Sequence, residues 1–310
     1  MFDIPHDTTC ALPLQQHPFF AMALSACGRP PLMLDEAPAR LVMRRRFKGG
    51  LTLSMLSRVQ VPTGPDDLEQ LRIALGRGPV ILSPDAPCPE LAGYGLVPLM
   101  TPATLVELDL TGPEQTRRAR LHPKWRNRLR QAEQSPLRVT RCAFPADPGH
   151  WLLRADTLQQ RRRGYRTWPE ALTLAYAAQA PEQAQLFTAQ VGNRIVAAML
   201  FLRHGAIATY HIGHTNTEGR ALSAHTLLLW TAACWLAEQG HLRLDLGLID
   251  TQRAPGLARF KLGAGATPRR LGGTWGWWPP LGRALAPLAR LDRARMEPPP
   301  GWTGPDRPCI

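Results

Sequence analysis

The chain has 310 residues, a length of one or two domains, and 44% of them are hydrophobic, which is enough for a sizeable core. This composition excludes wholesale disorder, and because the 31 prolines and 26 glycines follow no period, it also excludes collagen-like and repeat architectures. The formal charge is +13, and much of it lies in residues 111–170, which carry fourteen basic and five acidic side chains. Such a block attracts phosphates, nucleic acid or an anionic membrane surface.

The first 110 residues predict an α/β half. The expected elements are a helix over 15–27, strands over 40–47 and 51–56, a short helix over 66–75, and strands over 79–82 and 105–110. A long basic helix over 113–134 then leads to the second half.

The second half predicts a longer series of elements. They are a strand over 137–142, helices over 148–163 and 168–179, strands over 184–191, 194–203 and 206–213, a helix over 223–239, a strand over 242–246, a short helix over 258–262, a strand over 269–275 and a basic helix over 281–295. This order, with an antiparallel three-strand meander before one strong helix, resembles the GCN5-related N-acyltransferase (GNAT) fold. In that fold two adjacent central strands separate beside the start of the long helix and admit an acyl donor.

Five ordered motifs carry a closer resemblance. They are KWRNRLRQAE over 124–133, GNRIVAAML over 192–200, ATYHIG over 208–213, Gly240 followed by Asp245-Leu246-Gly247, and GLARFK over 256–261. Together they resemble the FemAB-like, peptidoglycan-bridge-type acyltransferases of the GNAT superfamily. The resemblance implies an α/β (α+β) fold of two tandem GNAT-like domains, with mixed, mostly antiparallel sheets flanked by helices.

On this reading the chain divides into four segments. We expect an N-terminal GNAT-like half over 1–110, a basic connecting helix over 111–136, a C-terminal acyltransferase domain over 137–278, and a basic helix with a proline-rich tail over 279–310. The resemblance implies an N-acyltransferase that moves an acyl or aminoacyl group to an amine acceptor by direct attack. The co-substrate is an acyl-CoA thioester or an aminoacyl-tRNA, and no tightly bound cofactor is expected.

The catalytic candidates lie around the implied donor cleft. The resemblance assigns Phe260 and Lys261 to the substrate and donor site, where the lysine binds a phosphate or carboxylate or stabilises a tetrahedral intermediate. Tyr210 and His211 lie on the strand beside the cleft, and a regular strand directs only one of them into it. Asp245 closes a central strand, where it acts as a base, orients one, or bonds the following turn. His211-x-x-His214 lacks a third ligand at helical spacing, so we expect no metal.

The binding candidates come from the basic block. Lys124, Trp125, Arg126 and Arg128 belong to the first motif, where the cations contact a phosphate-rich ligand or solvent and Trp125 faces the core or the ligand. Arg163 and Tyr165 end a second arginine cluster, in which the cations also suit the end of a helix. Ser223 is expected at the start of the long helix as its N-cap.

Two departures from the patterns of known acyltransferases leave the identity of the acyl donor open. The stretch from Gly219 to Ala224 keeps one glycine where acetyl-CoA-using GNATs have several, and no segment is long enough for the helical hairpin that cell-wall transferases often insert. The acceptor is expected to be a small-molecule or cell-envelope precursor amine, with tRNA as a further partner and peripheral membrane contact through 281–295.

The alternative function is a catalytically idle module that binds RNA or anionic membrane through the basic block. The six cysteines form no C-x-x-C pair and predict reduced thiols. The N-terminus lacks a basic n-region, and the apolar stretch over 222–237 is too short to span a bilayer, so we expect a cytoplasmic protein.

Overall fold

The computed structural model describes residues 11–34, 40–61, 65–165 and 167–278, together with the isolated positions 280, 281, 284, 287 and 296. Two compact units divide the chain: residues 1–28 with 106–268, and residues 29–105 with 269–310. Nearly all of the predicted C-terminal helix over 281–295 lies outside the described residues. Within the described part, no helix is both long and apolar enough to cross a bilayer.

The smaller unit contains a sheet whose described strands number six, in the order β1-β2-β3-β4-β13-β5. Its elements are β1 Leu32–Leu34, β2 Arg40–Arg46, β3 Thr52–Val59, α2 Pro65–Leu75, β4 Val80–Pro84, β5 Val97–Met100 and β13 Thr274–Trp277. Leu56, Leu71, Leu82 and Trp275 are fully buried in its core. This unit therefore has an apolar core of its own.

The larger unit contains a sheet whose described strands number seven, in the order β12-β6-β11-β10-β9-β8-β7. Its strands are β6 Thr104–Asp109, β7 Arg138–Ala143, β8 Ala184–Val191, β9 Arg194–His204, β10 Ile207–Thr215, β11 Arg243–Leu248 and β12 Thr267–Arg270. Its helices are α1 Pro18–Ala26, α3 Glu114–Ala119, α4 Pro123–Glu133, α5 Trp151–Arg163, α6 Glu170–Gln179, α7 Thr217–Ala221, α8 Ala224–Glu238 and α9 Pro255–Gly263.

Strands β8, β9 and β10 form the predicted antiparallel three-strand meander, β7 pairs with β8 in the same antiparallel sense, and β10 then pairs with β11 in parallel. Residues 196–202 of β9 are all buried, because β9 is a central strand with both faces covered. Helix α8 covers one face and is apolar on most of its circumference. The mixed, mostly antiparallel architecture agrees with the predicted fold class.

The predicted helix over 113–134 is two helices in the structure, α3 and α4. Pro123 opens α4, and the backbone of His122 before it is extended, with ψ near 139°. Proline disfavours helical backbone at the preceding residue, so a continuous helix cannot pass this point. The imidazole of His122 accepts a hydrogen bond from the backbone N–H of Lys124 at 3.3 Å and caps the new helix.

Each compact unit is assembled from two separate segments of the chain. The segment before residue 29 belongs to the larger unit, where α1 packs on α6. The predicted strand over 269–275 is interrupted at Gly272 and Gly273, so that β12 joins the larger sheet and β13 the smaller one. A Cβ at Gly272 would collide with the carbonyl oxygen of Ala86, which explains the glycine at this exchange between sheets.

Candidate active site

The two central strands β10 and β11 separate at their carboxyl ends. Their parallel register pairs Ile207 with Arg243 and Thr209 with Asp245, and no later pair follows, although β10 continues to Thr215 and β11 to Leu248. The backbone groups that face the partner strand beyond these residues are therefore released from the ladder. A binding cleft between two such strands is a common place for ligands in α/β proteins.

A β-bulge lies on β10 at the start of this opening. Tyr210 pairs with Phe201 and Ile212 with Leu200, which leaves His211 as the extra residue. The phenol of Tyr210 lies over Gly213, where a Cβ would collide with the tyrosine hydroxyl. Burial raises the pKa of Tyr210, so the phenol stays protonated. The strand is thus irregular at the position where the sequence predicts strict alternation.

His211 lies on the side of helix α6. Its Nε2 is 2.8 Å from the hydroxyl of Thr173, and its ring centroid is 4.9 Å from that of Trp168. Burial lowers the pKa of His211 to about 4. The imidazole is therefore neutral and held in packing contacts, while Tyr210 packs beside Phe201.

Lys261 is buried at the end of β11. Helix α9, opened by Pro255, directs Ala258 and Lys261 inward, and Lys261 is only 5% exposed. Its Nζ donates a 2.8 Å hydrogen bond to the carbonyl oxygen of Leu248. Burial lowers the pKa of Lys261 to about 8, although the negative charge of Asp245 acts in the opposite direction. An ammonium group is thus held at the point where β10 and β11 have separated.

Asp245 supports the same corner from β11. Its carboxylate accepts a 2.7 Å hydrogen bond from the backbone N–H of Gly247, and the side chain is 5% exposed. Gly247 has φ near 76°, a conformation that favours glycine. The carboxylate therefore fixes the turn after β11 and compensates part of the charge of Lys261.

Phe260 connects two aromatic neighbours in this region. Its ring centroid is 6.2 Å from that of Trp125 on α4 and 6.2 Å from that of His225 on α8. Trp125 is 4% exposed and packs against Gly263, where a Cβ would lie 2.9 Å from its ring. The three helices α4, α8 and α9 thus meet at Phe260.

His225 is a site residue that the sequence alone does not indicate. Its Nε2 lies 2.8 Å from the carbonyl oxygen of His214 on the separated part of β10. Burial lowers its pKa to about 4, so the ring is neutral. In sequence it resembles an ordinary first-turn residue of a helix, and only the packing of α8 on β10 brings it to the opening.

The cations of α4 have different environments. Arg126 donates hydrogen bonds of 3.1 and 3.0 Å to the carbonyl oxygens of Ala119 and Leu121, which join α3 to α4. Lys124 and Arg128 are exposed. Arg126 therefore stabilises the junction between α3 and α4, whereas Lys124 and Arg128 are accessible to solvent or a ligand.

The end of α5 lies beside β10. Gln159 donates hydrogen bonds of 2.9 Å to the hydroxyl of Tyr165 and 3.4 Å to the carbonyl oxygen of Gly213. Burial raises the pKa of Tyr165, whereas the charge of Arg163 acts in the opposite direction. Arg163 itself is exposed. Tyr165 is therefore joined to the opening through Gln159.

Ser223 precedes α8 as predicted but does not cap it through its side chain. Its φ is near 57°, in the left-handed region, and its hydroxyl makes no capping hydrogen bond. The preceding short helix α7 is capped instead by Asn216, which accepts a 2.8 Å bond from the N–H of Gly219. A Cβ at Gly219 would collide with the carbonyl of Val196 and lie 2.6 Å from Oγ1 of Thr215. This glycine serves close packing on β9.

A solvent-open pocket with about 370 Å³ of empty volume is lined by Trp125 and by residues of α8 and the end of β6. Arg117, Arg120 and Trp230 contribute to its lining. None of the predicted catalytic residues lines it. Among the described residues, no three His, Cys, Asp or Glu side chains are close enough to hold a metal ion.

Comparison with known proteins agrees with this geometry. The family model described as an acetyltransferase (GNAT) domain matches residues 118–266, which include the opening, Lys261 and Phe260. Residues 118–266 therefore form a GNAT domain. No curated protein matches the chain.

Solved structures extend the similarity in fold to most of the chain. FemX superposes with a TM-score of 0.70 at 12% identity, covering 91% of this chain and 94% of its own. A conserved protein of unknown function from Bacteroides thetaiotaomicron VPI-5482 gives 0.54 at 14%, covering 89% and 97%. The C-terminal domain (DUF2156) of a candidate lysylphosphatidylglycerol synthetase from Agrobacterium fabrum gives 0.50 at 12%, covering 90% and 92%. The chain thus has the FemX-like, tandem GNAT fold, and it carries an acyltransferase domain.

Proposed function

We propose that this protein transfers an acyl or aminoacyl group to an amine by direct attack at the opening between β10 and β11. The observation that carries the proposal is the buried ammonium group of Lys261 at the end of β11, 2.8 Å from the carbonyl of Leu248. A fixed cation in a partly dry site stabilises negative charge far better than one in water. Such a group suits the oxyanion that forms when an amine attacks an acyl carbon.

In the proposed reaction the acyl carbonyl lies in the opening with its oxygen toward Lys261. The nitrogen of a neutral acceptor amine forms a bond to the acyl carbon, and the bond to the donor sulfur or oxygen breaks. Lys261 and the surrounding dipoles stabilise the intermediate charge, and Phe260 bounds the donor side. Asp245 positions Lys261 through the turn at Gly247.

Two of the four thiols in the described residues, Cys88 and Cys234, are poor candidates for a covalent enzyme intermediate. Burial raises the pKa of Cys88 to about 12 and also raises that of Cys234. A thiol is a good nucleophile only as a thiolate, which these environments oppose.

We infer that the donor has a polyanionic part that contacts exposed cations of α4 and α5. Lys124, Arg128 and Arg163 are exposed and belong to the most basic part of the chain. The segment before α8 suits a CoA pyrophosphate less well, because Gly219 is occupied in packing and its N–H is bonded to Asn216. An aminoacyl-tRNA fits these observations, and an acyl-CoA thioester held without the usual loop is the other donor. The acceptor is a small-molecule or cell-envelope precursor amine.

A thermal-shift titration with acetyl-CoA, longer acyl-CoAs, charged tRNA and deacylated tRNA tests the donor. A ligand that binds the native state raises the melting temperature with its concentration. A larger shift with charged than with deacylated tRNA supports aminoacyl transfer, and a shift with a thioester supports acyl-CoA use. If no donor binds, or if Lys261→Ala leaves turnover of a proven substrate pair intact, the proposal is wrong.

The second candidate function is a non-catalytic module that binds RNA or an anionic membrane. The run of exposed arginines Arg161, Arg162 and Arg163 favours it, because clustered cations release counterions from any polyanion. Salt-sensitive binding that is equal for charged and deacylated tRNA, without donor turnover, would support this function instead.

A further inference from the structure

Helix α5 carries a carboxylate on its buried face. Asp156 is 8% exposed and follows Leu152 and Leu153, which are also buried, at intervals of four and three residues. These three side chains therefore lie on the face of the helix that packs toward the sheet. An aspartate in such a position is uncommon unless it is paired.

Within the described part of the chain, Asp156 has no cationic partner. Its hydrogen bond comes from the neutral amide of Gln160, which donates to Oδ2 at 2.7 Å. No lysine, arginine or histidine of the described residues makes an ion pair with it. Burial accordingly raises the pKa of Asp156, against the effect of the Gln160 hydrogen bond. A buried carboxylate without a cation is costly to the folded state, which suggests a partner that arrives with a ligand.

The carboxylate lies near the separated part of β10. Gln159, three residues along the same helix, bonds both the hydroxyl of Tyr165 and the carbonyl of Gly213. The negative charge of Asp156 contributes to raising the pKa of Tyr165 and of Tyr210. One carboxylate and two protonated phenols thus surround the side of the opening that faces α5.

We propose that Asp156 is the subsite for the acceptor: it binds the primary ammonium group of the acceptor and takes one proton from it. The inference rests on the proposed function and assigns the acceptor to the class of primary alkylamines that are cationic in solution. Tyr165 and Tyr210 lie beside this subsite.

The step balances in protons and electrons. The ammonium transfers a proton to the Asp156 carboxylate and becomes a neutral amine, whose lone pair forms the new C–N bond. The pair of the breaking C–S or C–O bond stays with the donor sulfur or oxygen. That leaving group takes the second nitrogen proton, and Asp156 releases its own proton to solvent when the product leaves.

The charged and titratable groups around the subsite come from two parts of the unit. Arg163 and Tyr165 lie at the end of α5, and Tyr210 and His214 lie on β10. Burial raises the pKa of both phenols and the charge of Arg163 acts in the opposite direction, whereas burial lowers the pKa of His214. None of these groups forms an ion pair with Asp156.

The first test uses n-propylammonium chloride as the probe and 1-propanol as its neutral analogue, at constant ionic strength and neutral pH. The probe cation should raise the melting temperature of the wild type more than the alcohol does, and Asp156→Asn should remove the difference. Asp147→Asn is the matched control, because Asp147 is exposed and uses one oxygen to accept the N–H of Gly149. An equal shift in wild type and Asp156→Asn, or no shift in the wild type, would overturn the subsite.

The second test separates a ligand site from a structural carboxylate. Because the pKa of Asp156 is raised by folding, its charge destabilises the native state at neutral pH, and this cost disappears as the pH falls below the ordinary aspartate pKa. Asp156→Asn should therefore be more stable than the wild type at pH 7 and lose this advantage in acid. If Asp156 has a purely structural role, Asp156→Asn should instead be less stable than the wild type at pH 7. If Asp156→Asn does not fold, Asp156→Ser, which is smaller and also neutral, takes its place in both tests.

Once a substrate pair is known, Asp156→Asn should lower kcat/KM by about 10²–10⁴-fold and remove the acidic limb of its pH profile. Failure here and failure of the proposed function are distinguishable. If a donor binds but the propylammonium shift does not depend on Asp156, the subsite is wrong and acyl transfer stands. If the shift depends on Asp156 but no donor binds, the amine site stands and acyl transfer is wrong.

Discussion

The Nζ of Lys261 donates a hydrogen bond to the carbonyl oxygen of Leu248, the last residue of β11, at 2.8 Å. This bond joins α9 to the strand end where the partner strand β10 has already moved away. Two further N–H groups of the ammonium remain for a substrate oxygen or for Asp245. The bond to Leu248 therefore fixes the position of the ammonium group and uses one of its three N–H groups.

We expect Lys261→Met to lower acyl transfer by about 10²–10³-fold, since it removes a donor to the oxyanion. Lys48→Met is the matched control, because Lys48 is exposed in the smaller unit. The measurement is kcat/KM with the donor identified by thermal shift. Equal activity of the two variants would contradict a catalytic role for Lys261.

The same substitution should change how stability depends on pH. The folded pKa of Lys261, about 8, lies below its unfolded value. At pH 7 both states are protonated and the fold bears the cost of a buried cation, on the order of 3 kcal/mol before the lost hydrogen bond is counted. As the pH rises from about 8 to about 10.5, the folded lysine loses its proton first and the cost disappears.

Urea unfolding of Lys261→Met and Lys48→Met at pH 7 and pH 10 checks this expectation. Relative to the control, Lys261→Met should be more stable at pH 7 and should lose that advantage at pH 10. A stability difference that is independent of pH would show that burial of charge is not its cause.

Gly219→Ala should destabilise the protein by about 1–3 kcal/mol, because the new methyl group has no room beside Val196 and Thr215. The control is Gly256→Ala in the first turn of α9, where no heavy atom lies within 4 Å of the added Cβ. That change should be neutral or stabilising by up to about 1 kcal/mol. Thermal unfolding of both variants measures the contrast, and similar effects would contradict the packing role of Gly219.

His17 should make folding sensitive to acid. Its Nδ1 accepts the N–H of Phe19 at the start of α1, and burial lowers its pKa to about 4. Below about pH 6.5 the unfolded histidine binds a proton first, so native stability falls as the pH decreases, by about 2 kcal/mol at pH 5 from this residue alone.

His17→Asn keeps a capping side chain and removes the titration. Urea unfolding from pH 7 to pH 4.5 should therefore show a smaller loss of stability in the variant than in the wild type. Parallel pH profiles would show that His17 does not contribute to the acid sensitivity.

Replacing Arg161, Arg162 and Arg163 together by glutamine should weaken tRNA binding and reduce its salt dependence. The logarithmic slope should fall by about 0.7 for each phosphate that these arginines neutralise in the wild type. The matched control is the same change at Arg44, Arg45 and Arg46, which form an exposed run of equal length on β2 of the smaller unit. Fluorescence anisotropy between about 50 and about 200 mM salt gives both slopes. Identical slopes for the two triple variants would exclude 161–163 from the polyanion site.

The sequence predicts most elements of the larger unit because local rules decide them. The strand over 184–191 has the predicted bounds, since the adjacent Gly192-Asn193 turn limits its end and alternation defines its body. The division of the basic helix into α3 and α4 also follows from a local rule, because Pro123 disfavours helical backbone at His122. The continuous run of basic residues over 113–134 predicts one helix, but Pro123 divides it into two.

Local sequence rules do not predict that β12 joins the larger sheet and β13 the smaller one. The segment over 269–275 has only two large apolar residues, Leu271 and Trp275, which do not specify a sheet, and the close approach of Gly272 to Ala86 exists only in the assembled fold. The bulge at His211 has the same character. In a strictly alternating strand, either Tyr210 or His211 could face the cleft. In the structure His211 is the extra residue of the bulge, and its side chain contacts Thr173.

By itself the sequence determined the α/β class, the antiparallel series, the long apolar helix and the motif that contains Phe260 and Lys261, because periodicity, turn residues and residue type are local properties. Only the tertiary structure decided that Lys261 is buried on Leu248, that His225 contacts Phe260, and that Asp156 is buried with no ion-pair partner among the described residues. These depend on strand separation and helix packing, which bring together residues far apart in the chain. Burial then shifts the pKa values of Lys261, His225 and Asp156.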